Sequence, residues 1–298
     1  MTRVFELTVT KEMCGKSIKQ ILYNYYQMST RTVNKLKMNK GIYLNGTHKY
    51  ITTLVQEGDI LKIVMPIEKS DNIIPTPMTL DIIYEDSDLM VINKMPNLPV
   101  HPSQGNYYHT LANGVMYYWE RKGCNYMYRP VNRLDKDTSG LMIIAKNQYV
   151  HQQLSKQISK KELKRKYIAV VHGIIRKNKG TIDLPIARKE GSTIERVVSE
   201  EGQYAITHYS VLKRINHFTM LELTLETGRT HQIRVHMSHI GHPLVGDWLY
   251  GNEEQHVITR QALHSYYLEF FHPVTKQQIN FESEIPEDMK RLLNSTKN

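Results

Sequence analysis

The stretch YRPVNRLDKDTSGLMIIAK, residues 128–146, is the one around which the rest of the sequence is organised. Charged residues, Thr, Ser and Gly stand between an extended approach and an apolar run, which predicts a strand, a tight turn and a second strand. Asp135 lies in the middle of that turn. A carboxylate on a turn between buried strands can be aimed at a ligand, but acidic residues and Gly also favour purely structural turns. This stretch alone leaves both interpretations open.

The composition indicates a basic globular protein of one or two domains. Of its 298 residues, 40% are hydrophobic, which is enough to bury a substantial core. Lys and Arg number 39 against 29 Asp and Glu, so the net charge is +10 and the isoelectric point is near 9.3. A basic excess of this size favours a polyanionic partner, and nucleic acid is the leading candidate because its phosphates attract distributed Lys and Arg.

Several functional classes are disfavoured by what the sequence lacks. With Cys14 and Cys124 as its two cysteines, it predicts neither a disulfide framework nor a tetrathiolate zinc site. CGKS at residues 14–17 has Thr10 where a phosphate-binding loop needs Gly, and no dinucleotide fingerprint follows a strand. The N-terminus does not resemble a signal peptide, and no apolar run is long enough to span a bilayer. We therefore expect a soluble, cytoplasmic protein with no cofactor and no membrane partner.

Residues 1–66 predict a small α+β module that carries more than half of the excess charge, with ten basic residues against four acidic ones. Ser29 is expected to cap a short helix whose Arg31, Lys35 and Lys37 face solvent, before a strand and the Asn45-Gly46 turn. This arrangement resembles the ribosomal protein S-four type RNA-binding domain, which makes these three basic residues candidates for RNA binding. A solvated basic face without a partner is the alternative.

A second domain, residues 81–298, is predicted to follow a linker at residues 67–80, in which Pro75 and Pro77 stand among polar residues. Strand patterns outnumber helical ones here and do not alternate regularly with them. The expected fold class is therefore α+β, with a mixed, largely antiparallel sheet and helices on its flanks.

Further candidate residues occur in the second half of the chain. Tyr167 opens the apolar strand pattern KYIAVVHG, which places it at the rim of the sheet; the alternative is an interior tyrosine whose hydroxyl is satisfied. The basic run at residues 160–166 is interpreted mainly as a solvated helix end that also attracts phosphate. Arg229 follows the turn residue Gly228 where a helix is expected to begin, with Thr230 as its cap. An Arg there can pair with a buried carboxylate, with or without a catalytic role.

Four histidines lie close together in the sequence, as metal ligands can: His231, His236, His239 and His242. This cluster lacks suitably interleaved Cys or carboxylate ligands, so we expect no metal there.

Six motifs, in order across residues 81–290, resemble the RluA-type pseudouridine synthase family: YEDSDLMVINK (84–94), LPVHPSQGN (98–106), NRLDKDTSGLMIIAK (132–146), KYIAVVHG (166–173), TGRTHQIRVHMSHIGHPLVGD (227–247) and QALHSYYLEFFHP (261–273). An S-four type module in front is common in that family. The resemblance implies the pseudouridine synthase fold and the isomerisation of uridine in ribosomal or transfer RNA, without a cofactor. We expect the protein to act as a monomer.

The resemblance also implies roles for four residues. Asp135 matches the catalytic nucleophile, which attacks the anomeric carbon or, in another scheme, helps to form a glycal by loss of the 2′ proton. Tyr167 matches the active-site tyrosine that packs on the target base, and Arg229 matches the arginine that pairs with the aspartate. Arg133 is expected to enter the RNA stack as the uridine leaves it.

Two residues depart from the family pattern, and two other functions are alternatives. Asn132 stands where many relatives have His, which can alter RNA contacts, and Met95 stands where many have Pro. The alternatives are an RNA-binding or ribosome-assembly factor without turnover, and an RNA N-glycosidase that breaks the same bond without rejoining it. The combination of Asp135, Tyr167 and Arg229 argues against a pure binder.

Overall fold

The computed structural model describes residues 3–68, 70, 72–251 and 258–295. At the N-terminus, a four-stranded sheet with the order β1-β4-β2-β3 packs against short helices. Its strands are β1 Val4–Thr8, β2 Ile42–Leu44, β3 Thr47–His48 and β4 Ile60–Val64, and its helical segments are Lys11–Met13, α1 Ile18–Gln20, the π-helical Ile21–Tyr25 and α2 Thr30–Met38. No helix in the described ranges is both long and apolar enough to cross a membrane.

Helix α2 forms as the sequence predicts. The Ser29 hydroxyl accepts a hydrogen bond from the Thr32 backbone N–H at 3.2 Å, which caps the helix. Val33 and Leu36 are buried one turn apart, so the helix packs its apolar face on the sheet and leaves the opposite face to solvent.

The larger part of the chain forms a nine-stranded sheet in the described residues, with the order β5-β6-β7-β14-β8-β13-β12-β9 and β15 beside β14. Its strands are β5 Ile82–Glu85, β6 Leu89–Lys94, β7 Ser139–Ala145, β8 Lys164–His172, β9 Lys179–Asp183, β12 Ile206–Ile215, β13 Phe218–Leu225, β14 Leu263–Phe271 and β15 Gln278–Glu282. The pairing of β7 with β14 is parallel and the other pairings are antiparallel. The predicted mixed, largely antiparallel sheet is confirmed.

Helices and a small hairpin complete this part. The helices are α3 Leu111–Arg121, α4 Gln148–Ser159, α5 Gln232–His239 and α6 Glu287–Ser295, and the hairpin consists of β10 Ile186–Arg188 and β11 Arg196–Val198. Strand β7 is buried at every position, because Leu141 and Ile143 face one apolar core while Met142 and Ile144 face another. A strand covered on both faces reads as a continuous apolar run, as this one does.

The N-terminal module shares one of these cores with the larger part. The ring of Phe5 lies 5.7 Å from that of Tyr26 and 5.0 Å from that of Tyr149 in α4. The Gln152 side chain in α4 accepts a 2.9 Å hydrogen bond from the Ser29 backbone N–H. The charged residues of α2 are therefore held at a fixed place relative to the larger sheet. The boundaries proposed from the sequence, 1–66, 67–80 and 81–298, stay a prediction.

His264 in β14 gives the fold an acid-sensitive point. Its side chain is buried between the hydroxyls of Ser139 and Ser283, each 2.9 Å from a ring nitrogen. Burial lowers the pKa of His264 from 6.5 to about 4. The unfolded chain therefore binds a proton in a pH range where the folded chain does not, and stability falls as the pH is lowered through that range.

We expect this residue alone to remove about 2 to 3 kcal/mol of stability between pH 6.5 and pH 4.5. Urea unfolding across this range checks the prediction, with His264→Gln as the comparison. The variant should lose correspondingly less stability than the wild type over the same interval. Parallel pH profiles for the two proteins would contradict the assignment.

Candidate active site

Asp135 lies on the turn that leads into β7, where the predicted turn does form. Its backbone carbonyl accepts a hydrogen bond from the Thr138 N–H at 3.2 Å, which closes the turn. The side chain of Lys94, at the end of β6, is buried, and its Nζ donates to the Lys136 carbonyl at 2.9 Å. The Lys94 hydrogen bond thus holds the turn in place. The Asp135 side chain is half-buried and lines a cavity.

Close backbone approach holds the start of β7 in place. Gly140 has a φ of +115°, and a Cβ there would lie 2.2 Å from the Ser265 carbonyl oxygen of β14, so only glycine fits. Asn132 is buried, and its amide oxygen accepts from the Ile143 N–H at 2.9 Å. In the structure, the Asn132 side chain is therefore hydrogen-bonded to the backbone of β7, whereas the sequence suggested that Asn132 affects RNA contacts.

A cavity of about 620 Å³ brings the predicted site residues together from three distant segments. Asp135 and Arg133 come from the turn before β7, Tyr167 from β8, and Arg229 from the turn after β13. Burial raises the pKa of Tyr167, so its phenol stays protonated at neutral pH. In that state it offers a ring face and an O–H donor rather than a base.

The predicted pairing of Arg229 with Asp135 is wrong. The arginine beside this carboxylate is Arg234, whose Nη1 lies 3.4 Å from Asp135 Oδ2. The same buried guanidinium makes two further hydrogen bonds to Asp247, at 2.7 and 2.8 Å. Arg229 is exposed at the rim of the cavity, and its Nε donates to the Tyr204 carbonyl at 2.9 Å.

The start of helix α5 explains this correction. The helix begins at Gln232, after His231 in a left-handed conformation with φ of 58°, and no side chain caps it, so the predicted cap at Thr230 is also wrong. Arg234 therefore lies in the first helical turn, pointing inward between the buried residues Ile233 and Val235. An arginine between two apolar residues of a predicted helix was the available sequence signal.

The charges around Asp135 are partly balanced inside the protein. Burial opposes the charge of Arg234, but Asp247 and then Asp135 outweigh it and raise the pKa of this arginine. His231 Nε2 lies 3.9 Å from Asp135 Oδ1, and burial lowers the pKa of this histidine. A permanently charged arginine and a mostly neutral imidazole thus flank the carboxylate at neutral pH.

Two of the other three histidines of this cluster have separate hydrogen-bond partners, and His239 is exposed at the end of α5. His236 lies between the Thr207 hydroxyl and the Leu184 carbonyl, each at 2.9 Å. His242 lies 2.9 Å from the His172 carbonyl.

Sequence reasoning also missed Arg165, which lines the same cavity. The sequence placed it in a solvated helix end, but α4 stops at Ser159 and β8 begins at Lys164. Alternation along β8 then turns Arg165 and Tyr167 inward and leaves Lys164 exposed. Extending the alternation of the strand pattern back through the basic run would have predicted that Arg165 faces inward.

The predicted RNA-binding residues on α2 do not line this cavity. Arg31 and Lys37 are exposed, whereas Lys35 forms an ion pair with Glu68, which also pairs with Arg129. Helix α2 contacts α4 at Gln152, and Ile158, about 9 Å further along α4, lines the cavity.

A family model described as RNA pseudouridylate synthase matches residues 88–239, and one described as RluD ribosomal pseudouridine synthase N-terminal domain matches residues 5–61. The chain is 42% identical to the Bacillus subtilis protein named uncharacterized RNA pseudouridine synthase YjbO, over 89% of this chain and 94% of that one. It is 35% identical to the ribosomal large subunit pseudouridine synthase D of Zymomonas mobilis, over 96% of each. Human RNA pseudouridylate synthase domain containing 1 shares the fold, with a TM-score of 0.57 and 24% identity over 69% of this chain and 83% of the human chain.

Proposed function

Because this chain belongs to the RNA pseudouridylate synthase family, we propose that it converts uridines of ribosomal RNA to pseudouridine, with Asp135 acting at the anomeric carbon. The observation that carries the proposal is the convergence of Asp135, Tyr167 and Arg234 on one cavity. Ribosomal RNA is preferred to transfer RNA because several relatives are named for the large ribosomal subunit. We place the reaction in the cytoplasm and expect the chain to act as a monomer.

The geometry supports a sequence of events that begins with extrusion of the uridine. Arg133 is exposed at the mouth of the cavity, where its guanidinium reaches the Thr230 hydroxyl at 3.4 Å and can replace the lost base stacking. The base then packs on the Tyr167 ring, and Arg234 holds the Asp135 carboxylate toward the sugar. The bond from C1′ to N1 breaks, the uracil turns, and C1′ bonds to C5. The C5 proton then leaves to water, and N1 takes up a proton.

A second cavity, of about 490 Å³, adjoins the first and is rich in arginine. Its basic residues are Arg133, Arg188, Arg196 and Arg229, and Glu201 is the acid among its lining residues. None of these arginines has a carboxylate within ion-pair distance in the part of the chain that the structure describes. Arg133 and Arg229 line both cavities. We infer that phosphates flanking the target uridine bind here, which gives Arg229 a role without contact to Asp135.

Removing the two arginines of the β10 and β11 hairpin should weaken RNA binding in a salt-dependent way. For Arg188→Ala with Arg196→Ala, we expect the slope of log K against log salt to become shallower by about 1.4, or about 0.7 per phosphate contact to a single strand. The double variant Arg121→Ala with Lys213→Ala removes the same charge at exposed positions of α3 and β12 and should leave the slope unchanged. Equal slopes in the wild type and the hairpin variant would show that RNA phosphates do not bind in this cavity.

Mapping pseudouridines in ribosomal and transfer RNA, in cells with and without the gene, tests the choice of substrate. We expect the modification to disappear from one or more positions of ribosomal RNA and to return with the wild-type gene but not with Asp135→Asn. Loss confined to transfer RNA, or no loss at all, would overturn the proposed substrate.

A further inference from the structure

Arg165 is a buried cation without an acidic partner. Its side chain is only 6% exposed, and its Nε has no hydrogen-bond acceptor. No carboxylate lies within 4 Å of it in the described ranges. A Cβ at Gly228 would lie 3.2 Å from Arg165 Nη1, so the guanidinium packs tightly beside the turn that borders the cavity.

The other buried arginines of this region differ from Arg165. Arg234 makes two hydrogen bonds to Asp247, and Arg260 makes two to Asp288. Burying a guanidinium without such a partner disfavours folding, because the lost hydration is not replaced. A destabilising group retained at the wall of a reaction cavity points to a role in the reaction.

The position of Arg165 indicates which part of the substrate it meets. Arg165 and Tyr167 lie two residues apart on the same face of β8, which separates their Cα atoms by about 7 Å. The base that packs on the Tyr167 ring therefore has an edge within reach of the Arg165 guanidinium. Asp135 and Arg234 line the same cavity, and because Asp135 acts at C1′ in the proposed function, the sugar lies on their side of it.

The reaction produces an anion at the base. When the bond from C1′ to N1 breaks, its electron pair stays on the uracil, and the charge spreads over N1, O2 and O4. In the covalent route, Asp135 loses its charge as its oxygen bonds to C1′, so the negative charge moves from the carboxylate to the base. When C5 later bonds to C1′, the carboxylate is released, the C5 proton passes to water and N1 takes up a proton. The reaction needs no oxidant or reductant.

We propose that Arg165 is a further catalytic residue, which donates hydrogen bonds to the uracil oxygens as negative charge develops on them. Arg234 stabilises the negative charge on the Asp135 carboxylate before the bond breaks. Arg165 stabilises the negative charge on the uracil afterwards. A fixed donor in a cavity that excludes water is most effective where charge appears during the reaction. This role rests on the proposed function, because it requires uridine as the substrate.

Arg165→Met tests the proposal, since Met fills a similar volume without charge. We expect RNA affinity to stay within about twofold and the single-turnover rate to fall by about 10²- to 10³-fold, as for loss of one oxyanion donor. The midpoint of urea unfolding should stay equal or rise, because an unpaired buried charge has been removed. Arg165→Lys is the matched control that keeps the charge, and it should recover part of the rate.

The dependence on the leaving group separates catalysis from a structural role. RNA with 5-fluorouridine at the target position carries a more acidic base, which needs less help in leaving. The rate deficit of Arg165→Met should therefore shrink by about tenfold on this RNA. The rate is followed as loss of the 5-fluorouridine nucleoside after nuclease digestion and chromatography.

Three results would overturn the role of Arg165. These are a variant as fast as the wild type, a deficit equal on both RNAs, and a deficit that appears only in RNA affinity, which would indicate a phosphate contact. A wild-type chain that converts no uridine would instead overturn the proposed function itself.

Discussion

Asp135→Asn should abolish turnover while leaving RNA binding and folding intact. The amide has nearly the same size as the carboxylate but can neither attack the anomeric carbon nor take up a proton. The contacts of this side chain are few, with Arg234 at 3.4 Å and His231 at 3.9 Å, and Arg234 keeps Asp247 when Asp135 changes. We expect the single-turnover rate to fall by about 10⁴-fold or more, as for loss of a nucleophile in other enzymes, with an RNA dissociation constant within about twofold of the wild type.

Asp137→Asn is the control for this experiment. Asp137 lies two residues away on the same turn and is half-buried like Asp135. The substitution removes the same charge, but from a residue to which no role is assigned. It should keep wild-type activity within about threefold, as expected for a residue outside the reaction. An Asp135→Asn protein with more than about a tenth of the wild-type rate would show that Asp135 is not the nucleophile.

Arg234→Leu should damage both the fold and the reaction. Asp247 is buried, and the substitution removes its two strongest hydrogen bonds and leaves its charge uncompensated. Removing one partner of a buried ion pair costs about 3–5 kcal/mol of stability. The Asp135 carboxylate also loses the group that orients it, so we expect a further fall in the single-turnover rate of about 10²-fold or more.

Comparing Arg229→Leu with Arg234→Leu distinguishes the roles of the two arginines. Arg229→Leu should change the free energy of unfolding by less than about 0.5 kcal/mol, because the side chain is exposed, and should act mainly on RNA affinity. The double variant Arg234→Leu with Asp247→Leu should recover part of the lost stability without recovering activity. Urea unfolding and single-turnover rates measure both effects. If Arg229→Leu were the slower and less stable protein, the pairing predicted from the sequence would be right and our assignment of Arg234 wrong.

The parts of the site that the sequence predicted are those set by local chemistry. The turn at Asp135 and the run of β7 follow from acidic and small residues before a continuous apolar stretch, and Ser29 caps α2 as its side chain allows. Tyr167 lies on a strand, as the apolar pattern after it predicts, but it is the fourth residue of β8 rather than the first. These features depend on only a few neighbouring residues, and tertiary contacts do not override them.

The errors come from small shifts that only tertiary structure decides. The helix cap is the left-handed His231, one residue after the predicted Thr230, and Arg234 in the first helical turn, rather than Arg229, faces Asp135. The basic run before Tyr167 belongs to a strand rather than a helix end, and strand alternation buries Arg165. Helix ends are the least reliable feature of any sequence pattern, because capping and packing compete there.

The arrangement of the two parts of the chain could not be derived from the sequence either. Linker-like composition at residues 67–80 suggested two separate units, but Phe5 and Tyr26 pack in one core with Tyr149. Contacts between residues more than 120 positions apart leave no local pattern to read. Substitution of the exposed Arg31 or Lys37 therefore tests RNA binding by the N-terminal part without removing core residues, whereas deletion of residues 1–66 removes residues of the shared core.

The release of tritium from RNA that carries it at uracil C5 tests the central claim most directly. Isomerisation replaces the bond from C5 to hydrogen with one from C5 to C1′, so each uridine converted releases one tritium to water. We predict release by the wild-type chain, none by Asp135→Asn, and no free uracil in either reaction. Free uracil would identify an N-glycosidase, and RNA binding without release would identify a binder, so either result would contradict the account.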